Sequence, residues 1–409
     1  MKVLICAYAC EPGRGAEPGV GWNIVKGLSQ NHELWVVTRS DNQEVIEFCN
    51  EKWVSDVSWI YHDPPKLITF WKKGRKGLML FYLIWLWTCL FKVQKLNKTV
   101  KFDRLHHLTF GSIVPASPLA LLGVPLVVGP LGGAENPPEA FLESMPFRQR
   151  AHVFKRTALH WIARKVFVAS WFYRRTHCAI GATPQAAALL SQLGAPRVVV
   201  QVQSGMGKDE IEKFTPTTKR ETSEVLRLVS ACRLIHWKAV DLTIDALAQA
   251  IREGGLARLD VFEMGPEMDK LQSRVSDLGL EEHVTFHGRV PHLNQVYEAI
   301  SQADALVHPA LHEAFGQVCL ESLALGTPVI ALNWAGPGQL INKSCGYPIP
   351  VGSRDEVVAG IAAAILDCQE RPEEHRKKRD AARQQAGNFS WFRVVDTVEK
   401  SYLYGLKRE

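Results

Sequence analysis

Two glutamates eight positions apart, Glu313 and Glu321, are the residues with the clearest chemical meaning. Gly316 lies between them, and Glu321 lies within a run of good helix formers at about 317–325, which follows a short apolar run at 305–308. The start of a helix leaves unpaired backbone N–H groups and a partial positive charge, and a glycine lets a ligand approach the backbone closely. The pattern predicts a phosphate site made of neutral amides. The carboxylates are then expected to accept hydrogen bonds from sugar hydroxyls.

Two cations upstream of this string, Arg233 and Lys238, lie five positions apart. Because a predicted phosphate-binding helix lies in the same half of the chain, these two cations favour a functional role over a purely structural one. The sequence contains no Asp-x-Asp pair and no Cys/His cluster, so no metal site is predicted. Taken singly, each of the four charged residues also fits a solvated turn or an exposed helix. Their combination in one half of the chain is what indicates a site.

The string that carries Glu313 and Glu321 resembles a known family signature. Its frame E-x-F-G-x-x-x-x-E, followed by A-L-G-T-P-V, resembles that of the retaining glycosyltransferases of family 4, which have the GT-B fold. Residues 230–241, 263–266 and 286–290 resemble the donor-side loops of the same family, and the similarity extends over nearly the whole chain. The family members in question build cell-envelope polysaccharides or exopolysaccharides.

The resemblance implies a role for each matching residue of the C-terminal half. Arg233 and Lys238 would clamp the donor diphosphate, Glu313 would hold hydroxyls of the donor sugar, and Glu321 would hold the ribose diol. The remaining donor-binding residues would act largely through backbone atoms. They are Gly265, Pro266, Arg289, Val290, Ala314, Phe315, Gly316, Gln317 and Val318.

In the N-terminal half, the resemblance implies a glycine loop after the first strand that faces the donor phosphate and borders the acceptor. Gly15 and Ala16 would lie on the donor side and Glu17 on the acceptor side. The family also has a strand end of the form D-x-x-H-x-H, whose second histidine approaches the reacting sugar. Leu108 stands at that position here, so His106 or His107 would replace it as a catalytic residue, or the site has no histidine.

The elements that must position these residues follow from the alternation of short apolar runs with helical stretches. Such runs occur at 57–61 and 178–181 in the first half, and at 226–231, 305–308 and 329–332 in the second. This alternation predicts parallel sheets covered by helices on both faces. The expected fold is α/β, with two doubly wound Rossmann-like domains facing each other across a cleft, as in GT-B.

The domain boundary is expected in the polar stretch 204–224, which contains several threonines and glycines. Residues 1–205 would form the acceptor-side domain, and residues 206–387 would form the nucleotide-sugar domain. Residues 388–409 resemble the family's last helix, which crosses back to the N-terminal domain.

The net charge of +6 is unevenly distributed. Residues 1–208 hold 25 Lys/Arg and 13 Asp/Glu, a balance of +12, whereas residues 209–409 hold 23 and 29, a balance of −6. The basic half predicts an anionic partner, either a membrane or an anionic acceptor. Nucleic acid is disfavoured as a partner because no nucleic-acid-reading motif accompanies the charge.

Residues 78–91 form an apolar run of 14 residues with lysines on both sides. A membrane-spanning helix needs about 20 apolar residues, so a span is disfavoured. Two interpretations stay open. The run fits a helix buried in a core, which its length favours, or a helix lying in the interface of an anionic membrane.

The cellular location is predicted from the cysteines and the first residues. Nine cysteines occur singly, which is typical of a reducing cytoplasm. The apolar residues 3–9 are too few for a secretion leader and predict a first strand. We expect a cytoplasmic protein, with peripheral contact at the inner face of the plasma membrane as the association that its basic half predicts.

The sequence therefore predicts a hexosyltransferase that uses a nucleotide-sugar donor and a glycan or lipid-linked acceptor, with no cofactor and no metal. UDP-glucose is the default donor, although no pocket residue demands it. The alternatives are a nucleotide-sugar epimerase or hydrolase of the same fold, and a catalytically inactive relative that binds glycans or polyanions. A nicotinamide dehydrogenase is disfavoured because the spaced G-x-G-x-x-G fingerprint is missing.

Overall fold

The computed structural model describes residues 1–404 apart from 14–16, 73, 75–76, 143–144, 146, 148–149, 152, 156, 159–160, 162–166 and 208–223. Gly15, Ala16 and most of the expected domain boundary lie outside the described residues. The chain divides into two compact units. The first comprises Met1–Ala134, Arg156–Ser204 and Trp391–Glu409, and the second comprises Glu135–Lys155 and Gly205–Ser390.

One segment groups differently from the expected boundaries. Glu135–Lys155 belongs to the second unit, whereas the sequence placed it within residues 1–205. The physical reason is burial, because Phe141 and Met145 pack into the hydrophobic core of the second unit. Because this packing joins segments that are distant in the sequence, the local composition does not indicate the domain boundary.

The first unit is built on a seven-stranded parallel sheet. Its strands are β1 Lys2–Ala7, β2 Glu33–Thr38, β3 Val57–Tyr61, β4 Arg104–Thr109, β5 Leu126–Leu131, β6 Cys178–Gly181 and β7 Val198–Val200. The strand order is β3-β2-β1-β4-β5-β6-β7. The order reverses between β1 and β4, which makes that position the topological switch point of the sheet.

The second unit is built on a six-stranded parallel sheet. Its strands are β8 Leu226–Ala231, β9 Ala257–Phe262, β10 Val284–Gly288, β11 Ala305–His308, β12 Val329–Leu332 and β13 Gly346–Ile349. The order is β10-β9-β8-β11-β12-β13, so the switch point lies between β8 and β11. The predicted fold class, two doubly wound parallel α/β sheets, is confirmed.

Helices connect the strands in both units. They are α1 Glu17–Leu28, α2 Gln43–Glu47, α3 Lys66–Thr69, α4 Leu78–Val100, α5 Phe167–Tyr173, α6 Pro184–Gln192, α7 Val240–Arg252, α8 Met268–Asp277, α9 Leu293–Gln302, α10 Gln317–Ala324, α11 Pro337–Leu340, α12 Arg354–Glu370, α13 Pro372–Gly387 and α14 Trp391–Leu403. Single turns of 3₁₀-helix occur at Ser40–Asn42, Lys52–Asp56, Pro118–Leu122, Glu139–Phe141 and His236–Lys238.

The first sheet has a hydrophobic core on each face, because side chains alternate along a strand. Leu4 and Cys6 of β1 join the core that contains α4 and α6. Val3 and Ile5 join the other core, which contains α1 and the last helix α14. Residues buried on both faces explain why the strands are continuous apolar runs in the sequence.

The helix α4 is longer than the apolar run that predicted it. It runs for 23 residues, Leu78–Val100, against a predicted run of 14, because a lysine-containing stretch continues the same helix. Among the described residues, α4 is the single helix whose length and composition would allow it to cross a membrane. Seven of its side chains are nevertheless buried in the first unit, so core packing accounts for one face of the helix.

Candidate functional site

The predicted donor-side residues of the second unit share one edge of its sheet. Each follows the carboxyl end of a strand, and these strands are neighbours in the order β10-β9-β8-β11. Arg233 and Lys238 follow β8, Gly265 and Pro266 follow β9, Arg289 and Val290 follow β10, and Glu313, Ala314, Phe315 and Gly316 follow β11. Open α/β sheets bind their ligands at this edge.

Backbone hydrogen bonds join these loops into one rim. Leu234 N–H donates to Met264 O at 3.1 Å, and Glu263 N–H donates to Gly288 O at 2.8 Å. On the other side, Leu311 N–H donates to Trp237 O at 2.8 Å. Backbone hydrogen bonds therefore link the loops after β8, β9, β10 and β11 to one another.

Lys238 and Glu313 meet at the switch point of the second sheet. Lys238 ends the 3₁₀ turn after β8, and its Nζ donates to Oε2 of Glu313, which follows β11. Their side chains are only 17% and 20% exposed. The two charges thus form a partly buried ion pair in the place where a doubly wound sheet binds ligands.

Glu313 is also close to a buried histidine. His308 ends β11, is 1% exposed, and its Nε2 lies 3.5 Å from Oε2 of Glu313, at the outer limit of a hydrogen bond. Burial alone would raise the pKa of Glu313, but the contact with His308 and the charge of Lys238 outweigh it, so the pKa lies well below its ordinary value. Burial lowers the pKa of His308. Glu313 is consequently an anion over the whole physiological range.

The predicted phosphate cradle begins α10. Gly316 precedes the helix with φ 89°, and as a glycine it has no side chain that could cap the first turn. A Cβ at Gly316 would lie 3.3 Å from Pro337 Cγ, and the preceding Phe315 is 4% exposed. A helix that begins directly after a glycine is the arrangement that the predicted phosphate site requires, and the binding of a phosphate there stays a prediction.

The cradle is braced by a glycine from the next loop, after β12. A Cβ on Gly336 would lie 2.4 Å from the backbone N and Cα of Phe315. Gly336 N–H also donates to Glu313 O at 3.0 Å. Gly336 was not among the predicted residues, although its position in the loop after a buried strand was a signal for it.

The other predicted donor residues lie on or beside the rim. Gly265 is packed so closely that a Cβ would lie 2.1 Å from Leu234 O, which explains the glycine in structural terms. Pro266 and Arg289 are exposed, and Val290 is half-buried. Gln317 is exposed at the start of α10, Val318 is half-buried in its first turn, and Glu321 is half-buried one turn later.

A segment that sequence reasoning missed lies against the same rim. His312 Nδ1 contacts the backbone carbonyl of Glu135, and Trp334 Nε1 donates to the Asn136 carbonyl at 3.1 Å. Glu135 itself is buried. These contacts place residues 135–136 beside the loops after β11 and β12, although they precede those loops by more than 170 residues.

In the first unit, Glu17 also lies at a switch point. It starts α1, after β1, and its Oε1 accepts a hydrogen bond from the backbone N–H of Gly111, which follows β4. Burial raises the pKa of Glu17, and the Gly111 N–H only partly offsets it. A half-buried carboxylate at the ligand-binding edge fits the acceptor-side role predicted for it.

His106 and His107 lie within β4 and are buried. His106 contacts Tyr402 OH at 2.6 Å and Gly129 O at 2.7 Å, and His107 contacts Tyr82 OH at 2.9 Å. Burial lowers the pKa of each to about 4. Their bonds favour a structural role over the predicted catalytic one.

Comparison with known proteins agrees with this geometry. Residues 210–385 match the protein-family model described as "Glycosyl transferases group 1". The C-terminal half therefore contains a stretch that is similar to a group 1 glycosyltransferase domain. It contains Arg233, Lys238 and the whole string from Glu313 to Glu321.

The chain is similar to a GDP-mannose-dependent alpha-(1-6)-phosphatidylinositol dimannoside mannosyltransferase of Mycobacterium tuberculosis. The two are 32% identical over 177 residues, which cover 43% of this chain and 44% of that protein. It is also 30% identical over 235 residues to a D-inositol 3-phosphate glycosyltransferase of Geodermatophilus obscurus, covering 53% of this chain and 50% of that protein. The chain thus spans about half the length of these curated relatives.

Solved structures resemble the chain over nearly its whole length. The crystal structure of Anabaena HepE in complex with UDP matches with a TM-score of 0.61 at 17% identity, covering 98% of this chain and 99% of that one. At this identity the likeness shows the fold, which is the predicted GT-B fold with two α/β domains.

Proposed function

We propose that this group 1 glycosyltransferase chain transfers a hexose from a UDP-sugar to a glycan or lipid-linked acceptor, with retention of configuration and without a metal ion. The single observation that carries the proposal is the Lys238–Glu313 pair in front of the helix that begins after Gly316. A cation, a hydroxyl-binding carboxylate and a phosphate cradle stand together at one switch point. A nucleotide sugar presents the complementary groups, because its diphosphate fits the cation and the cradle and its sugar hydroxyls fit the carboxylate.

The charges fit a diphosphate leaving group. Lys238 and the exposed Arg233 both lie after strand β8, at the same edge of the sheet as the phosphate cradle. Because Glu313 already holds Lys238 Nζ, the cation is oriented before a ligand arrives. With two cations in this position and no Asp-x-Asp pair in the sequence, we propose that no metal is needed.

The proposed reaction breaks the bond between the sugar's anomeric carbon and the diphosphate oxygen. The acceptor hydroxyl attacks on the face that the diphosphate leaves, forming the new glycosidic bond. Its proton passes to a diphosphate oxygen. Glu313 is held ionised by its neighbours and binds sugar hydroxyls, so it is not required to change its protonation state.

The identity of the donor and the acceptor is proposed from relatives and charge. UDP is the nucleotide in the Anabaena HepE structure, and the mycobacterial relative is named for GDP-mannose, so GDP-mannose is the alternative donor. That relative's name also specifies a phosphatidylinositol dimannoside, which supports a lipid-linked acceptor in envelope or exopolysaccharide synthesis. We place the protein in the cytoplasm, at the inner face of the plasma membrane.

The test is release of nucleotide diphosphate from UDP-glucose, UDP-galactose, UDP-N-acetylglucosamine and GDP-mannose, with EDTA present. Native protein is compared with Lys238→Ala and with Lys270→Ala. Lys270 is a matched control, because it lies in the same unit with a side chain that is 68% exposed. We expect cleavage of one donor that survives EDTA and falls at least 100-fold in Lys238→Ala only.

The outcomes separate the proposal from its alternatives. If NMR shows that one nucleotide sugar is converted into its epimer, the protein is an epimerase. If a glycoside product forms, its anomeric NMR signal shows whether the configuration is retained. If no nucleotide sugar is cleaved and none raises the melting temperature, the transferase proposal is wrong and a glycan- or polyanion-binding role takes its place.

A further inference from the structure

The helix α4 has two apolar faces, and among the described residues one face is packed and the other is exposed. Its inner face packs into the first unit through residues such as Tyr82, Trp85 and Cys89. Its outer face presents Leu80, Trp87 and Phe91, whose side chains are 53%, 44% and 65% exposed. A helix on the surface of a folded unit normally turns a polar face outward, so the exposed apolar face indicates an interaction surface.

The exposed residues form a single stripe. Residues 80, 87 and 91 are spaced by seven and four positions, which places them on one side of an α-helix over about 16 Å. Seven positions after Phe91 the same stripe reaches Lys98, and Lys95 is beside it. The stripe is therefore apolar for its first three turns and cationic at its carboxyl end.

The segment before α4 carries further exposed apolar residues. Leu67 of α3 and Phe70, directly after it, are 86% and 80% exposed. Trp71 ties the segment to the start of α4, because a Cβ on Gly77 would lie 2.5 Å from the Trp71 ring. The apolar surface made of Leu67, Phe70, Leu80, Trp87 and Phe91 is called the outer apolar face below.

The charge around the outer apolar face has one sign. Residues 64–102 contain nine lysines and arginines and no aspartate or glutamate. Lys66, Lys92, Lys95 and Lys98 are all exposed. An apolar strip with exposed aromatic rings and lysines at its ends complements the interface of an anionic bilayer, where rings enter the headgroup layer and ammonium groups meet phosphates.

We propose that the outer apolar face is the surface by which this chain lies on an anionic membrane, with α4 parallel to the bilayer plane. The helix does not span the membrane, because its inner face is fastened to the sheet. Trp85 Nε1 donates to His62 O at 2.8 Å, and His62 Nε2 lies 2.9 Å from Thr88 Oγ1. A spanning helix would have to break these bonds and uncover the core.

The test is co-sedimentation of the full chain with large unilamellar vesicles of phosphatidylcholine alone or with about one third phosphatidylglycerol. We expect binding to the anionic vesicles that weakens with added salt. The double variant Trp87→Gln/Phe91→Gln is expected to weaken binding at least tenfold. Phe392→Gln is the matched control, since Phe392 is 79% exposed on α14 of the same unit and lies outside the outer apolar face.

A second variant keeps the test valid if the aromatic substitutions disturb folding. Lys92→Glu/Lys95→Glu/Lys98→Glu changes only exposed side chains and is expected to abolish the preference for anionic vesicles. Vesicle binding needs no donor, so its result is independent of the proposed transfer reaction. Equal binding by native protein and both variants would overturn the proposal, as would a pellet that resists alkaline carbonate, which indicates a span. A dimer that Trp87→Gln/Phe91→Gln dissociates would instead assign the face to a second copy.

Discussion

The Nδ1 atom of His106 lies 2.6 Å from the hydroxyl of Tyr402, a residue 296 positions later in the chain. Nε2 of the same ring lies 2.7 Å from Gly129 O. A neutral imidazole satisfies both contacts when Nε2–H donates to the carbonyl and Nδ1 accepts from the hydroxyl. Arg104 Nε adds a bond to Tyr402 O at 2.8 Å. The last helix is thus fastened to the centre of the first sheet by buried polar contacts.

The substitution Tyr402→Phe removes the hydroxyl and leaves His106 Nδ1 buried without its partner. We expect a loss of about 1–3 kcal/mol in the free energy of unfolding, measured by urea denaturation. Tyr404→Phe is the control, because Tyr404 is 38% exposed, and it should change stability by less than about 0.5 kcal/mol. Unchanged stability in Tyr402→Phe would show that the hydroxyl is not structurally important.

The buried histidines of β4 make stability depend on pH. Burial lowers the pKa of His106 and of His107 to about 4, whereas an unfolded histidine titrates near 6.5. Between these values the unfolded chain binds more protons, so stability falls as the pH drops from about 6.5 toward 4, by at most about 3 kcal/mol for each histidine. Urea midpoints across this range should show a shallower slope for His106→Gln. An identical slope would mean that His106 is already protonated in the folded state.

The close contact between Gly336 and Phe315, which braces the phosphate cradle, can be tested by adding one methyl group at Gly336. Gly336→Ala places a Cβ 2.4 Å from the Phe315 backbone, so the loop before α10 must move. We expect a loss of about 1–3 kcal/mol in stability and at least tenfold weaker UDP binding by calorimetry. Gly387→Ala is the control, because nothing lies within 4 Å of its added Cβ. Native UDP affinity in Gly336→Ala would show that the loop position does not govern binding.

The ion pair at the second switch point predicts a split between binding and turnover. Glu313→Gln keeps the shape of the side chain but removes the charge that orients Lys238 Nζ. We expect the turnover of the donor to fall about 100-fold or more, while UDP affinity, which depends on the cations, stays within about threefold. Glu267→Gln serves as the control in the same unit, since Glu267 pairs with the exposed Lys270. Equal losses in affinity and turnover would place Glu313 in nucleotide binding instead.

Much of the scaffold could be read from the sequence. Strands predicted at 178–181, 226–231, 305–308 and 329–332 occur at those residues, because strands buried on both faces are continuous apolar runs. The strand β13 Gly346–Ile349 was missed, since its four residues include a glycine and a proline and carry no such run. The helix after Gly316 was predicted at about 317–325 and runs over Gln317–Ala324, because good helix formers follow a glycine there.

The amino-acid sequence by itself determined which residues stand at the carboxyl ends of the strands, since strand, loop and helix are local patterns and parallel strands end at a common edge. Only the tertiary structure decided which of these residues touch. Lys238 meets Glu313 across 75 positions because β8 and β11 are neighbours, and strand order is not written in local composition. The contact of His106 with Tyr402 was likewise decided by the tertiary structure. The sequence of α4 is apolar on both faces, and only packing decided which face is buried.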